Sequence, residues 1–209
     1  MVECVVMAII AYLIGSINFS IILSKKMAGF DVREKGSGNA GTTNMLRSVG
    51  KKAAAITLIC DILKGVVAIL IALLIGRIVE GSNGALLVQV AGVAVILGHT
   101  FPIFFKFKGG KGVATSLGVL IMSNWQIGLI CLVFALILIA LTQMVSVGSI
   151  AAAILYPVLT LFIPQNYIVP GYYLIYSIVL AVIIVFNHRE NVKRLLNGTE
   201  NKISFKGTK

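Results

Sequence analysis

Residues 53–76 read AAAITLICDILKGVVAILIALLIG, and only Asp61 and Lys64 carry charge in this run. The hydrocarbon core of a membrane is about 30 Å thick and a helix rises about 1.5 Å per residue, so about 20 apolar residues cross it. The run therefore predicts a transmembrane helix. Because Asp61 and Lys64 are three positions apart, they share a helix face, which predicts a structural ion pair. The alternative is that Lys64 leans toward a polar site on the cytoplasmic side.

The composition of the whole chain extends this interpretation. Of 209 residues, 58% are hydrophobic and 12% are charged, and the mean hydropathy is +1.01. This is too little polar surface for a soluble or a disordered protein, and nucleic-acid binding is not expected despite a net charge of +11. Seven apolar stretches are candidate spans: 2–24, 53–76, 85–98, 113–124, 125–142, 145–163 and 171–187. The prediction is an all-α, polytopic integral membrane protein with seven transmembrane helices, in which residues 1–209 form a single membrane-embedded domain.

The distribution of basic residues predicts the orientation. Of the 18 Lys and Arg residues, 16 lie in three segments, 25–52, 106–111 and 189–209. Cytoplasmic loops are enriched in Lys and Arg, so all three segments are expected on one side, which requires an even number of crossings between them. The short stretches 85–98 and 113–124 must then cross, tilted or in a locally thinned bilayer. The N-terminus is predicted outside and the C-terminus in the cytoplasm.

Residues 36–47, GSGNAGTTNMLR, form the first of three polar segments on the predicted cytoplasmic side. Gly36, Gly38 and Gly41 let the backbone turn and approach a ligand, and successive N–H groups in such a turn make a concave anion site. Arg47 adds a planar fork suited to phosphate. The G-x-G-x-x-G spacing follows a membrane span instead of a strand, which argues against a dinucleotide site. Neutral hydrogen-bonding groups come from Ser37, Asn39, Thr42, Thr43 and Asn44.

Residues 98–115, GHTFPIFFKFKGGKGVAT, contain a second glycine-rich loop. Gly109, Gly110 and Gly112 surround Lys111, which favours contact between this lysine and an anionic ligand. The loop is not a P-loop, because glycine stands where Ser or Thr would bind Mg²⁺. Its aromatic and basic residues are typical of a segment lying at the lipid headgroups: Phe101, Phe104, Phe105, Phe107, Lys106 and Lys108.

Residues 188–200, HRENVKRLLNGTE, directly follow the last predicted span. His188, Asn191 and Arg194 fall on one face at helical spacing, so they predict a polar stripe at the membrane surface. The simpler interpretation is an ordinary basic flank of a span. His188 and Asn191 are uncharged or weakly basic, however, so they are not needed to orient the span in the membrane. Both lie on the same predicted side of the membrane as the two glycine loops.

Carboxylates are scarce around these segments. Mg²⁺ sites need several oxygen ligands, and no His and Cys spacing typical of zinc is present. The sequence therefore predicts a site without metal or cofactor, built for more than one phosphate at the inner face of the membrane. The acidic residues near the segments are Asp31, Glu34, Glu190 and Glu200.

The three segments resemble the cytoplasmic motifs of bacterial acyl-phosphate:glycerol-3-phosphate acyltransferases, the PlsY family. These motifs read G-S-G-N-x-G-x-T-N-x-x-R, G-H-x-F-P-x-F-x-x-F-x-G-G-K-G-V-A-T and H-R-x-N-I-x-R-L-x-x-G-x-E. The chain matches all three, with Val192 in place of the Ile of the third. We refer to residues 36–47, 98–115 and 188–200 as the first, second and third motifs.

The resemblance implies a seven-helix enzyme of the bacterial cytoplasmic (inner) membrane, with its active site facing the cytoplasm. It implies transfer of a fatty acyl group from acyl phosphate to the 1-hydroxyl of glycerol 3-phosphate, which yields 1-acylglycerol 3-phosphate (lysophosphatidate) and phosphate, the first step of phospholipid synthesis. The His and Asp pair of CoA-dependent acyltransferases is absent, since the fifth residue after His99 is Phe104 and after His188 is Lys193. We expect a monomer in the bilayer. The alternative function is a membrane transporter of an organic phosphate anion.

The resemblance also assigns roles to residues of the motifs. His188, Asn191, Arg47 and Lys111 are expected to bind glycerol 3-phosphate, and either His188 or a substrate phosphate is the base. The predicted catalytic residues are Ser37, Asn39, Lys111, His188 and Asn191. The predicted substrate-binding residues are Gly36, Gly38, Thr43, Asn44, Arg47, Gly109, Gly110, Gly112 and Arg194. The predicted structural residues are Glu200, Asp61 and Lys64, and no metal ligand is predicted.

Overall fold

A computed structural model of the chain describes residues 1–163 and 170–203. Within these ranges every regular element is a helix, in agreement with the predicted all-α class. The chain forms two compact units, Met1–Asn124 and Trp125–Lys209. The first contains α1 (Val2–Ser16), α2 (Phe19–Ala28), α3 (Thr42–Ser48), α4 (Lys51–Ile78), α5 (Gly84–Thr100) and α6 (Val113–Ser123). The second contains α7 (Trp125–Thr142), α8 (Val145–Thr160), α9 (Pro170–Asn187) and α10 (Arg189–Leu196).

The first predicted span, 2–24, is helical but interrupted. Ile17 and Asn18 separate α1 from α2, and Asn18 caps α2 because its Oδ1 accepts a hydrogen bond from the N–H of Ile21 at 3.2 Å. Asparagine is favoured at this position because its side chain satisfies an N–H that has no partner inside the helix. The interruption leaves carbonyl groups at the end of α1 available to side chains of other helices.

Close helix contacts through glycine hold the first unit together. Glycine allows two helix backbones to approach closely, which is a common way of packing helices in membranes. A Cβ atom added at these positions would collide with the backbone of the partner helix, so larger residues do not fit. The four glycines are Gly15 and Gly98, between α1 and α5, and Gly65 and Gly118, between α4 and α6.

The polar segment 25–52 is folded around a small apolar core of its own. Val32, Ala40 and Met45 are fully buried, and α3 packs them against the ends of α2 and α4. The first motif therefore lies on a defined scaffold. The buried members of this cluster are Ile21, Val32, Ala40, Met45, Ala53 and Ala54.

The second unit is built from α7, α8 and α9, with α10 at its end. Inside it, the hydroxyl of Tyr156 in α8 donates to the hydroxyl of Tyr173 in α9 at 3.0 Å. The axis turns by 60° between α9 and α10, at His188. α10 has a basic last turn with Lys193 and Arg194, whereas α9 is apolar. The third motif therefore begins where an apolar helix ends and a polar one starts.

Each of the seven predicted apolar stretches coincides with helix. Among the residues that the structure describes, four segments are long and apolar enough to cross a membrane: Val2–Ala28, Lys51–Ile78, Gly84–Phe105 and Trp125–Thr142. The bent pair of α9 and α10 makes a fifth if it is one span. The apolar helices α6 and α8 are shorter. Large apolar side chains of α4 and α7, such as Leu74 (57% exposed) and Leu136 (54% exposed), face outward, as lipid contact requires.

Candidate active site

Asn44 organises the first motif from within α3, where it is only 1% exposed. Its amide nitrogen donates to the carbonyls of Val32 at 2.8 Å and Lys35 at 3.0 Å, and its Oδ1 accepts from the backbone N–H of Ser37 at 3.0 Å. These bonds engage both amide protons and the carbonyl oxygen of a buried side chain. Asn44 therefore holds the loop in shape, a role that the sequence alone did not predict.

The loop geometry requires glycine at two positions of the first motif. Gly36 has φ +58°, and a Cβ there would collide with Oδ1 of Asn44. Gly38 has φ +70°, a left-handed conformation that other residues rarely adopt. The two glycines, predicted as substrate-binding residues, thus determine the path of the backbone that presents Ser37.

The polar side chains of the first motif differ in exposure. Ser37 and Arg47 are exposed, whereas Asn39 and Thr43 are partly buried. Thr42, to which no role was assigned from the sequence, has a buried Oγ1 without a hydrogen-bond partner in the part of the chain that the structure describes. A buried hydroxyl without a partner is uncommon in proteins, and it distinguishes Thr42 from the other hydrogen-bonding groups that the sequence places in the first motif.

Two adjacent glycines of the second motif, Gly109 and Gly110, pack against the end of α5, and Gly110 also packs against the first motif. The N–H of Gly109 donates to the carbonyl of Thr100 at 3.0 Å, and that of Gly110 donates to the carbonyl of His99 at 3.1 Å. A Cβ on Gly110 would collide with Nε2 of His99 and would lie 2.6 Å from the carbonyl oxygen of Ala40. The structure therefore brings the first and second motifs together at Gly110.

Arg33 connects the segment that precedes the first motif to the second motif. Its Nη1 donates to the carbonyls of Phe105 at 2.8 Å and Lys108 at 3.0 Å, while its Nε and Nη2 donate to Asp31 at 3.0 and 2.7 Å. The Arg33 hydrogen bonds hold the pKa of Asp31 below its usual value, against the opposing effect of burial. Neither Asp31 nor Arg33 belongs to a motif, and only the tertiary contacts of Arg33 show that it helps to shape the loop of the second motif.

Lys111 precedes the first turn of α6. Gly112 is the N-cap of this helix and has φ +86°, and its carbonyl accepts from the N–H of Ser116 at 2.8 Å. The N-terminus of a helix carries partial positive charge. The basic side chain of Lys111 and the N–H groups of the first turn of α6, which have no acceptor within their own helix, therefore give this loop a positive potential suited to phosphate.

The predicted pair of Asp61 and Lys64 lies inside the first unit. Nζ of Lys64 is 3.0 Å from Oδ1 of Asp61, as the three-residue spacing predicts. The same Nζ lies 2.7 Å from Nδ1 of His99, which the sequence analysis left without a role. All three side chains are at most 4% exposed.

His188 of the third motif lies at the bend between α9 and α10 and is 2% exposed. Its Nδ1 lies 2.7 Å from the carbonyl oxygen of Ile184. A carbonyl only accepts hydrogen bonds, so Nδ1 carries the proton and Nε2 is the nitrogen that can accept one in the neutral ring. This orientation is suited to a base or to a hydrogen-bond acceptor for a hydroxyl group.

Glu200 joins two helices of the second unit, α8 and α10. It accepts hydrogen bonds from Nδ2 of Asn191 at 2.7 Å, from Oγ of Ser146 at 2.9 Å and from Nε of Arg194 at 2.9 Å. Burial acts to raise the pKa of Glu200, but these hydrogen bonds outweigh it and keep the pKa below its usual value. Glu200 thus orients Asn191 and Arg194. The sequence predicts Arg194 as a substrate-binding residue, but it does not predict this ion pair with Glu200.

Comparison with known proteins identifies the family. The family profile described as "Glycerol-3-phosphate acyltransferase" matches residues 5–198. A glycerol-3-phosphate acyltransferase of Thermoanaerobacter pseudethanolicus is 46% identical over 202 residues, which cover 97% of this chain and 96% of the relative. The chain belongs to the glycerol-3-phosphate acyltransferase family. A second member of the family, from Clostridioides difficile, is 43% identical with the same coverage.

Solved structures agree with this membership in a bacterial family of acyltransferases. The fold of this acyltransferase is similar to the crystal structure of PlsY (YgiH), an integral membrane glycerol 3-phosphate acyltransferase, in its glycerol 3-phosphate form. The TM-score is 0.85 and the identity is 37%, with 96% of each chain covered. The lysophosphatidic acid form gives a TM-score of 0.82 at 36% identity. The acyltransferase described here is therefore an integral membrane enzyme.

Proposed function

We propose that this glycerol-3-phosphate acyltransferase uses acyl phosphate as its donor and acylates the 1-hydroxyl of glycerol 3-phosphate. The products are 1-acylglycerol 3-phosphate and inorganic phosphate. The observation that carries the proposal is the contact of Gly110 with Ala40, which assembles two glycine-rich anion loops next to Lys111. The absence of a His and Asp pair at the spacing used by CoA-dependent enzymes supports the same donor.

The reaction is chemically undemanding because acyl phosphate is a mixed anhydride with a good leaving group. The 1-hydroxyl oxygen of glycerol 3-phosphate attacks the acyl carbon, the bond between this carbon and the phosphate oxygen breaks, and phosphate leaves with the electron pair. Orientation of the two substrates supplies up to about 7–11 kcal/mol, and each donor aimed at the developing oxyanion adds up to about 3–4 kcal/mol. The enzyme's task is to hold two phosphates together and to offset their repulsion.

The proposed roles follow from the charges and donors of the motifs. Arg47 and Lys111 bind the phosphate of glycerol 3-phosphate as cations, and His188 and Asn191 orient its glycerol part. Ser37 lies near the transferred acyl group, presented by the backbone of Gly36 and Gly38. Further groups that contact or shape the substrate site are Asn39, Thr43, Gly109, Gly112 and Arg194.

The proton of the attacking hydroxyl has two possible acceptors. Nε2 of His188 is one, because Nδ1 is held by the carbonyl of Ile184. The other is a substrate phosphate, whose second pKa of about 6 makes it a base near neutral pH. In either case Ser37 acts as a hydrogen-bond donor, since no general base follows it closely in the sequence.

For the membrane we propose seven crossings, with the N-terminus outside and the C-terminus in the cytoplasm. The three basic segments then lie on the same side, as the enrichment of Lys and Arg in cytoplasmic loops favours. The proposed location is the inner membrane of a bacterium, with the active site open to the cytoplasm. We further propose that residues 1–209 work as a single acyltransferase domain and that the enzyme is a monomer.

The deciding experiment is an acyl-transfer assay with radiolabelled glycerol 3-phosphate and protein purified in detergent. The donor is acyl phosphate, acyl-CoA or acyl carrier protein with a bound fatty acid, each with and without EDTA. We expect lysophosphatidate only from acyl phosphate, at a rate that EDTA does not change. Product from acyl-CoA would contradict the proposed donor, and inhibition by EDTA would contradict a metal-free site. Uptake of label into sealed vesicles without acylation would favour the transporter.

A further inference from the structure

Lys64 makes more contacts than the neutralisation of Asp61 requires. Besides the ion pair at 3.0 Å, its ammonium group donates to the carbonyls of Gly15 and Ile17, both at 3.1 Å, and contacts Nδ1 of His99 at 2.7 Å. These two carbonyls lie at the interruption between α1 and α2. The ammonium group therefore joins α4 to the end of α1 and to the last turn of α5.

This arrangement determines the protonation pattern of His99. An ammonium group only donates hydrogen bonds, so Nδ1 of His99 must accept and the proton of the neutral ring is on Nε2. The imidazole is 3% exposed and cannot turn over without losing its contact with Lys64. Lys64 thus fixes the direction in which the opposite edge of the ring points.

The opposite edge of the ring supports the glycine loop of the second motif. Nε2 lies where a Cβ of Gly110 would be, and the carbonyl oxygen of Ala40 adjoins the same position. The N–H of Gly110 also donates to the backbone carbonyl of His99 at 3.1 Å. A shift of the ring would consequently move Gly110 and the next residue, Lys111.

We propose that Asp61, Lys64 and His99 are positioning residues for the acyl transfer. This positioning cluster fixes Gly110, and through it Lys111, in the geometry that binds the phosphate of glycerol 3-phosphate. The inference deepens the proposed function and rests on it.

The main test exchanges the charges in the double variant Asp61→Lys with Lys64→Asp. This variant keeps an ion pair three positions apart on α4, so the helix stays neutral in the membrane. The ammonium group is moved almost one turn away from Gly15, Ile17 and His99. We expect binding of glycerol 3-phosphate, measured by titration calorimetry, to weaken about tenfold and the KM to rise equally, with kcat changed less than about threefold.

Two further variants separate positioning from general packing. Thr57→Ala is the matched control, because Thr57 is fully buried on the same helix but donates only to its own helix, to the carbonyl of Ala53 at 2.8 Å. We expect its KM to equal that of the wild type. His99→Asn keeps an acceptor near Lys64 but removes the ring edge beneath Gly110, and we expect its KM for glycerol 3-phosphate to rise as in the exchange variant.

Combination with Lys111→Ala tests whether the cluster acts through this lysine. If it does, the two changes are not additive, and Lys111→Ala has little further effect on KM in the exchange variant. Wild-type affinity in either the exchange variant or His99→Asn would overturn the inference, and so would full additivity with Lys111→Ala. A wild-type protein that does not bind glycerol 3-phosphate would instead contradict the proposed function.

Discussion

Arg47 and Lys111 are the cations that the proposed phosphate site depends on. Arg47→Ala and Lys111→Ala each remove a charge-assisted hydrogen bond of about 1.5–3 kcal/mol, so we expect the KM for glycerol 3-phosphate to rise about 10- to 150-fold. Steady-state kinetics with acyl phosphate in excess measures this change. The matched controls, Lys51→Ala and Lys108→Ala, remove exposed lysines near each residue. Equal KM values in all four variants would remove Arg47 and Lys111 from the site.

His188 carries the best-defined geometry for handling the proton. His188→Ala removes both the orientation of the glycerol hydroxyl and one of the two candidate bases, so we expect kcat/KM to fall at least about 100-fold. Arg189→Ala is the control, because Arg189 is exposed and its guanidinium carbon lies 4.8 Å from the ring centre of Phe186. Turnover of His188→Ala near the wild-type rate would exclude an essential role of this residue.

The loop of the first motif depends on one buried amide. Asn44→Ala would leave the carbonyls of Val32 and Lys35 and the N–H of Ser37 without their partner, at about 1–3 kcal/mol for each group that stays buried. We expect a lower melting temperature and a higher KM for glycerol 3-phosphate, because the loop loses its shape. Ser48→Ala, which removes only a 3.4 Å contact with Asn44, should be close to wild type. Unchanged stability of Asn44→Ala would show that the loop is held by other contacts.

The C-terminal end of the third motif depends on the charge of Glu200. Its folded-state pKa is lowered, so its contribution to stability is present above its unfolded pKa of about 4.3 and is lost as the pH falls through the folded value. Glu200→Gln should therefore lower the melting temperature at pH 7, and the difference from wild type should shrink below about pH 4. Thermal unfolding in detergent at several pH values measures it. If the difference in melting temperature between Glu200→Gln and the wild type did not depend on pH, the charge of Glu200 would not contribute to stability.

The proposed topology of the whole molecule can be tested by accessibility. Single cysteines at the exposed positions 47 and 189, in a background in which Cys4, Cys60 and Cys131 are replaced, should both react with a membrane-impermeant thiol reagent in inside-out vesicles. A cysteine at position 82, in the connection between α4 and α5, should react only from the other side. Labelling of positions 47 and 189 from opposite faces would contradict the seven-span arrangement and the single active site.

The helical membrane fold is determined by local composition, and sequence was sufficient to predict it. In lipid, backbone groups must be satisfied within the segment, so a long apolar run such as 53–76 has to form a helix. The interruption at Ile17 and Asn18 was missed, because a single uncharged polar residue, Asn18, barely changes the hydropathy of the span. The family also follows from sequence, since the three motifs are contiguous strings of residues.

Only the tertiary structure decided which polar residues support the motifs through buried hydrogen bonds. The sequence predicts Asn44 as a substrate-binding residue, but it does not reveal that this side chain is buried and bonded to three backbone groups. His99 lies 35 positions from Lys64, and Arg33 lies 72 positions from Phe105, so no local sequence pattern predicts either contact. The physical reason is that hydropathy and helix periodicity act over neighbouring residues, whereas the position of a buried hydrogen bond depends on how separate helices pack.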